Sequence, residues 1–266
     1  MTMDNLALIK PVEEIDNVIS LTLIDGKLSK KPKVRYNKDG SIDKRHTNRI
    51  KGVSNEVYPF TAKEEIKAMI DIFDNRIKNA DGKVKEQIAY RNKMMFLIGI
   101  NLGIRASDLC GLKYSFFLKE DGSFKDGYKL QPKKTRKTGK FVPLVFNQII
   151  KKAITDYIEK YPIKDMNDYI FKSRQGNKPI TEAMLWKIIN DAAIEAKLKL
   201  NYGSHSLRKT FGYWAWHNAV DKDKALVTLQ MIFNHSDTRT TMKYIGLMND
   251  EISDVFNGLD LGLEFL

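Results

Sequence analysis

Between residues 84 and 101 the chain carries a helix-length segment whose centre, MMFLIGI at 94–100, is apolar without interruption. A helix that is apolar nearly all round cannot sit at a surface and needs covering elements on every side. The run is too short to cross a bilayer, so the cover has to come from the rest of the chain. Gly103 follows as a helix terminator, and IRASDLCGL (104–112) reads as a short helix that starts at once. Arg105 therefore stands at a tight helix–turn–helix joint, a place from which a side chain can be aimed into a cleft.

Elements that could supply the cover lie on both sides. Thr61 followed by Glu64 has capping-box spacing, and Ile66, Met69, Ile70, Phe73 and Ile77 then recur at helical intervals. Residues 113–146 read as β: a strand at 114–118, a turn at Asp121-Gly122, a strand at 128–131, a polar hairpin tip PKKTRKTGK, and a strand at 141–146. Asn147 caps a helix with Ile150, Ile154, Tyr157 and Ile158 on one face. After a short apolar run at 169–171 and the turn RQGNKP, Thr181 caps a helix carrying Leu185, Ile188, Ile189, Ala192 and Ala196. Ser204 is expected to cap the next helix. The pattern predicts a mainly α fold with a small antiparallel sheet, an α+β class.

Residues 204–244 carry the chemistry. The segment opens with H-x-x-R at His205 and Arg208 and closes with His235-Ser236 and a tyrosine nine positions on, Tyr244. Residues three apart share a helix face, so His205 and Arg208 can reach one phosphate. Two histidines, an arginine and a tyrosine make chemical sense together if the tyrosine attacks phosphorus. The arginine would hold the non-bridging oxygens, and the histidines would donate hydrogen bonds or move protons.

Charge points to the same partner. The formal charge is +12, and residues 27–51 hold ten lysines and arginines against two aspartates, a net +8. That segment has almost no apolar periodicity and reads as an extended basic arm able to contact phosphates. A bias of this size favours a polyanion. The first residues lack the basic start and apolar core of a secretory signal. The single Cys110 excludes an intramolecular disulfide and fits a reducing compartment, so nucleic acid in the cytoplasm is the expected setting, with no membrane partner. Cys110 itself reads as a small buried hydrophobe. His217 reads as packing or surface, and Trp186, Trp214 and Trp216 as core or interface anchors.

The motifs together resemble the tyrosine recombinase (phage integrase) family. NLGIRASDLCGLKYSFF is similar to its first-arginine segment, and QPKKTRKTGKFVPL to its lysine hairpin ending in Val-Pro-Leu. SHSLRKTFGYWAW is similar to its H-x-x-R box, and FNHSDTRTTMKY to its tyrosine box. The likeness covers residues 57–258, and four motifs in the right order are far more specific than any one. It divides the chain into a basic arm or truncated core-binding segment (1–56), a catalytic domain of the DNA breaking–rejoining fold (57–248) and a C-terminal tail for protomer exchange (249–266).

The resemblance implies a site-specific recombinase or integrase, encoded by a bacterium, phage or other mobile element. Arg105 and Arg208 would clamp the scissile phosphate and stabilise its transition state. Tyr244 would be the nucleophile, leaving a 3′-phosphotyrosine and a free 5′-hydroxyl. The hairpin lysine would protonate that leaving oxygen. Lys-Thr pairs occur at both 134 and 137; Lys134 is preferred because it follows the strand end. His205 would serve as acid and base toward the tyrosine, and His235 would hydrogen-bond the phosphate. Lys30, Lys31, Lys33, Arg35, Lys44, Arg45, Arg49, Lys133, Arg136 and Lys137 are the candidate contacts to double-stranded DNA. Guanidinium groups take the place of a metal, so no cofactor is expected. A homotetramer on two DNA sites, and a monomer or weak dimer in free solution, are the implied assemblies. Two alternatives share these residues: a type IB topoisomerase-like nicking and religating enzyme, and an inactive DNA-binding protein.

Overall fold

The computed structural model describes residues 56–134, 139–247, 256, 258 and 259. The basic arm, hairpin residues 135–138 and most of the C-terminal tail lie outside these.

The apolar segment is the centre of the domain. Helix α2 (Lys83–Leu102) buries Met94, Met95, Phe96, Ile98 and Leu102 to 3% exposure or less. Each such side chain contributes roughly 1.5–3 kcal/mol when taken out of water. Helices α1 (Lys63–Lys78), α5 (Gln148–Lys160) and α7 (Ser204–His217) pack around it. Two glycines let α7 come close. A Cβ on Gly99 would stand 2.6 Å from Leu207 Cδ1. Gly103 caps α2 at φ 61°, and a Cβ there would stand 2.2 Å from the Phe211 ring. Only glycine meets both demands at 103.

After Gly103 the chain forms α3 (Ala106–Cys110) and α4 (Tyr114–Phe117). The latter corrects the strand expected at 114–118. Tyr114, Phe117 and Leu118 are the buried positions, a helical i, i+3, i+4 spacing. Tyr114 N donates to Asp168 O and Ser115 N to Met166 O, so the following loop holds this turn in place. Only an isolated bridge, Leu118 to Phe124, remains of the expected pairing. Strands β1 (Gly127–Leu130) and β2 (Val142–Val145) form an antiparallel pair from Gly127↔Val145 to Leu130↔Val142. The sheet among the described residues thus has two strands.

Asn147 and Thr181 cap α5 and α6 (Glu182–Glu195), accepting from Ile150 N at 3.0 Å and Met184 N at 3.2 Å. Two caps differ from expectation. The α1 cap is Ala62, and Glu65 rather than Glu64 reaches back, its Oε2 accepting from Thr61 N (2.9 Å) and Ala62 N (3.1 Å). The α7 cap is Gly203, whose N–H donates to Ser206 Oγ at 3.0 Å; Ser204 is already helical. Helices α8 (Lys222–Phe233) and α9 (Thr238–Ile245) pack on the far side of α7. They bury Leu229, Phe233, Ile245 and Leu247, with Phe211, Trp216 and Tyr244 against them. No helix of the described residues is long and apolar enough to cross a membrane.

Candidate active site

Arg208 is the joint of the site. One turn deeper along α7 than the exposed His205, it is only 6% exposed. Its guanidinium donates to Gly103 O at 2.6 Å and to Phe233 O at 3.1 Å, and it stacks on the Phe233 ring at 4.3 Å. Gly103 immediately precedes the Arg105 segment, and Phe233 precedes His235 by two residues. One side chain therefore ties three separate motifs together. Burial, set against a nearby Tyr244 and joined by the repulsion of Arg105, brings its pKa down to about 10. A guanidinium has five N–H donors, so two carbonyls leave others for a substrate.

Arg105 is the N-cap of α3 and partly exposed. Its charge bears on Arg208, His205, His235 and Tyr244 alike, which places it among them. Tyr244, on α9, packs edge-on at 5.5 Å against the Phe233 ring that Arg208 stacks on. Burial raises the pKa of its phenol, while Arg208 and Arg105 pull it back down. The two guanidinium groups thus favour a phenolate over what burial alone would allow. His235 lies edge-on to Tyr244, ring centres 5.1 Å apart, and its Nδ1 is 3.1 Å from Thr241 Oγ1. Desolvation, Arg208 and Arg105 lower its pKa, with Asp237 opposing. The His205 pKa is lowered by desolvation and then Arg208, with Glu182 opposing. Both rings are therefore biased toward the neutral form.

The hairpin enters from the other side. Lys133 N donates to the buried Asp108 carboxylate at 2.9 Å, and its Nζ to Ser107 O at 3.0 Å. This fastens the start of the hairpin loop to the helix that begins at Arg105. Lys134 is exposed and has no hydrogen bond or ion pair among the described residues. Lys140 Nζ approaches Asn234 Oδ1 at 3.3 Å, beside His235. Arg136 and Lys137 lie outside the described residues, as do Lys30, Lys31, Lys33, Arg35, Lys44, Arg45 and Arg49.

Sequence reasoning missed three participants. Asp108 is 4% exposed and lies three residues after Arg105; an acid inside an apolar helix was the available signal. Thr241 is fully buried, three residues before Tyr244 and so on its helix face. Lys209, next to Arg208, pairs with Glu56 Oε1 at 3.0 Å and holds its ammonium 5.5 Å from the Tyr244 ring. Elsewhere the expected secondary roles hold. His217 stacks on Tyr213, Trp214 Nε1 donates to Phe60 O at 2.8 Å, and Trp216 joins the α7–α9 cluster. Trp186 differs from the core position expected for it: it is 46% exposed and lies over Gly203. The Cys110 thiol is buried, which pushes its pKa up to about 12 and makes it unreactive. Among the described residues no group of three or more His, Cys, Asp or Glu could hold a metal ion.

Known proteins share this arrangement of sequence. The family model described as the phage integrase family matches residues 59–250. "Probable integrase/recombinase YoeC" of Bacillus subtilis (strain 168) is 35% identical over 185 residues, 66% of this chain and 92% of that protein. "Tyrosine recombinase XerC" of Halalkalibacterium halodurans is 28% identical over 205 residues, 74% of this chain and 60% of that protein. "Tyrosine recombinase XerD" of Staphylococcus aureus (strain N315) is 26% identical, and 54% of its length is covered. The chain thus spans little more than half the length of these Xer relatives. The solved structure of XerA recombinase has a similar fold, with TM-score 0.54 at 19% identity, over 77% of this chain and 66% of that one. XerH bound to difH substrate, in a pre-cleavage complex, gives TM-score 0.51 at 19% identity, over 82% of this chain and 60% of that one.

Proposed function

The chain belongs to the phage integrase family, and on that footing we propose that it is a site-specific recombinase acting through a 3′-phosphotyrosyl intermediate. One observation carries the assignment of residues: Arg208 and Tyr244 meet on one ring, the guanidinium 4.3 Å over Phe233 and the phenol edge-on to it at 5.5 Å, with the charge of Arg105 also bearing on the phenol. A phosphodiester entering there meets two cations and a nucleophile at once. Arg105 and Arg208 bind the non-bridging oxygens and neutralise the charge that builds in the pentacoordinate transition state. The Tyr244 oxygen bonds to phosphorus, and its proton passes to His205. The bond from phosphorus to the 5′-oxygen breaks, and that oxygen leaves as an alcohol with a proton from Lys134. The phosphotyrosine keeps the bond energy, so rejoining to another strand needs no nucleotide cofactor. The names of the relatives favour recombination over relaxation of supercoils or binding alone.

The partner is double-stranded DNA. A neighbour in fold is held on a difH substrate, and the excess of positive charge over this chain fits a phosphate backbone. The working assembly is a homotetramer on two sites, linked by exchange of residues 249–266.

The deciding experiment uses nicked suicide duplexes tiled across the DNA that flanks the encoding gene. The wild-type chain is expected to form a covalent adduct on a denaturing gel with one of them. Tyr244→Phe is expected to form none while binding the same duplex nearly as well, since phosphate contacts come from other residues. A persistent adduct in the Phe variant would remove Tyr244 from the reaction.

A further inference from the structure

His235 has two ring nitrogens, and the structure accounts for one of them. Nδ1 lies 3.1 Å from the hydroxyl of Thr241, a side chain with no solvent exposure. The same hydroxyl lies 3.3 Å from the carbonyl oxygen of Asp237. A hydroxyl has a single proton, and a carbonyl can only accept. With the Thr241 proton given to Asp237 O, four residues back on its own helix, the oxygen is left to accept from His235. In that arrangement Nδ1 carries the hydrogen. The backbone around the ring is held as well, because His235 N donates to Gln230 O at 3.1 Å and Gln230 Nε2 donates to Ser236 O at 3.2 Å. The ring cannot easily turn to replace Nδ1 with a ring carbon, with Phe233 packed tilted at 5.4 Å and Tyr244 edge-on at 5.1 Å.

We propose that Thr241 is a positioning residue that fixes His235 as the Nδ1–H tautomer, so that His235 donates to a phosphate oxygen only after Nε2 has taken up a proton. The catalytic use of this state rests on the recombinase reading above; the tautomer does not. In the neutral ring Nε2 is a bare lone pair, which accepts hydrogen bonds and repels a phosphate oxygen. The charged and titratable groups that bear on the ring are Arg208 from α7, Arg105 at the N-cap of α3, Asp237 at the N-cap of α9 and the Tyr244 phenol on α9. In the free protein burial and then the two guanidinium groups lower the pKa of the ring and so favour its neutral form. An incoming phosphate neutralises those guanidinium groups and brings its own negative charge, which favours the imidazolium. Phosphate entry and proton uptake at Nε2 become one event.

Thr241 sits one turn before Tyr244 on α9, so the element that presents the nucleophile also orients the histidine.

The test is a long-range proton–nitrogen spectrum of the full chain labelled with nitrogen-15 in histidine, at neutral pH and without DNA. The His235 signals are assigned by their loss in His235→Gln. The expected pattern is a protonated Nδ1 and a bare Nε2 in the wild type, kept in Thr241→Ser and lost or mixed in Thr241→Val. A neutral wild-type ring with its proton on Nε2 overturns the proposal whatever the variants do, so failure of Thr241→Val to fold would not shelter it. The second readout is the pH profile of first-turnover cleavage on the suicide duplex. The wild type and Thr241→Ser should lose rate as pH rises through the His235 pKa of the DNA complex. Thr241→Val should be slower by about tenfold, a fraction of the roughly 10²–10⁴ that a positioned acid or base supplies. Its alkaline fall should be shallower, because a ring free to hold Nε2–H can donate without being charged. Superimposable profiles for wild type and Thr241→Val would overturn the coupling. The expected spectrum with no cleavage of any duplex would instead count against the recombinase reading and leave the tautomer standing.

Discussion

At the scale of single residues the two arginines are not equivalent, although both are assigned to the same phosphate. Arg208 is buried and donates to two main-chain carbonyls. Arg105 is partly exposed, and no hydrogen bond from its side chain is present among the described residues. Arg208→Ala would leave Gly103 O and Phe233 O without their donor, at a cost of about 1–3 kcal/mol for each buried group left unpaired. Arg105→Ala should cost less than about 1 kcal/mol, as changes away from the core do. Both should lower first-turnover cleavage by at least about 10²–10³-fold, the loss seen when one preorganised donor to a developing charge is removed. Urea unfolding and adduct formation, measured on the same preparations, separate the two quantities. Equal loss of stability in both variants would mean that Arg208 does not stitch the motifs as described. The H-x-x-R spacing was legible because it lies within one helix. The depth of its two ends was not, because that depends on what α7 packs against.

At the scale of elements the hairpin between β1 and β2 carries the open assignment. Its base is anchored, since Asp108 accepts from Lys133 N and Ser107 O from Lys133 Nζ. Lys133 is therefore engaged in holding the loop, while Lys134 is exposed beside it. A general acid at Lys134 predicts a specific rescue. Lys134→Ala should slow cleavage of a normal duplex by about 10²–10⁴-fold, yet cleave a duplex with a 5′-thio leaving group at nearly the wild-type rate. A thiolate leaves without a proton, so the acid becomes dispensable. Lys133→Ala and Lys137→Ala serve as comparisons; rescue of Lys137→Ala and not of Lys134→Ala would move the acid along the loop. The element read incorrectly, residues 114–118, is instructive. Its aromatic composition suits a strand, but burial of Tyr114, Phe117 and Leu118 selects a helical turn, and main-chain bonds to the 166–168 loop hold it there.

At the scale of the whole molecule the charge is unevenly spread. Residues 27–51 carry a net +8 of the total +12. Deleting residues 1–52 should weaken DNA binding and flatten its salt dependence, since each phosphate neutralised contributes about 0.9 to the log–log slope on duplex DNA. Affinity measured across a salt series for both chains tests this, and an unchanged slope would mean that the arm does not touch phosphate. The other end is opposite in sign. Residues 248–266 hold five acids and no lysine or arginine, with Ile252, Val255, Phe256 and Leu259 spaced for one helix face. A helix so short would need a surface to bury that face, and the proposed exchange would place that surface on a neighbouring protomer. Truncation after Leu247 should leave binding to a single site largely intact and lose pairing of two sites, read by native gel and mass photometry. Equal pairing by both chains would make the tail ordinary intramolecular packing.

What the amino-acid order determined by itself was whatever acts within one or two turns. The all-apolar centre of α2, the stop at Gly103, the caps Asn147 and Thr181, and the H-x-x-R face all follow from local spacing and backbone preference. The candidate reacting groups were likewise legible, because each motif keeps its residues within a short stretch. Tertiary structure alone decided which atoms meet. Arg208 and Gly103 O are 105 positions apart in the chain, and no local rule relates them. Glu65 displaces Glu64 at the first cap because its other oxygen takes the hydroxyl of buried Tyr202, 137 positions away. Thr241 and His235 are close in sequence, yet nothing in a six-residue spacing fixes the 3.1 Å contact between them. A hydrogen bond depends on distances of a few tenths of an ångström, and those distances are set by packing over the whole domain.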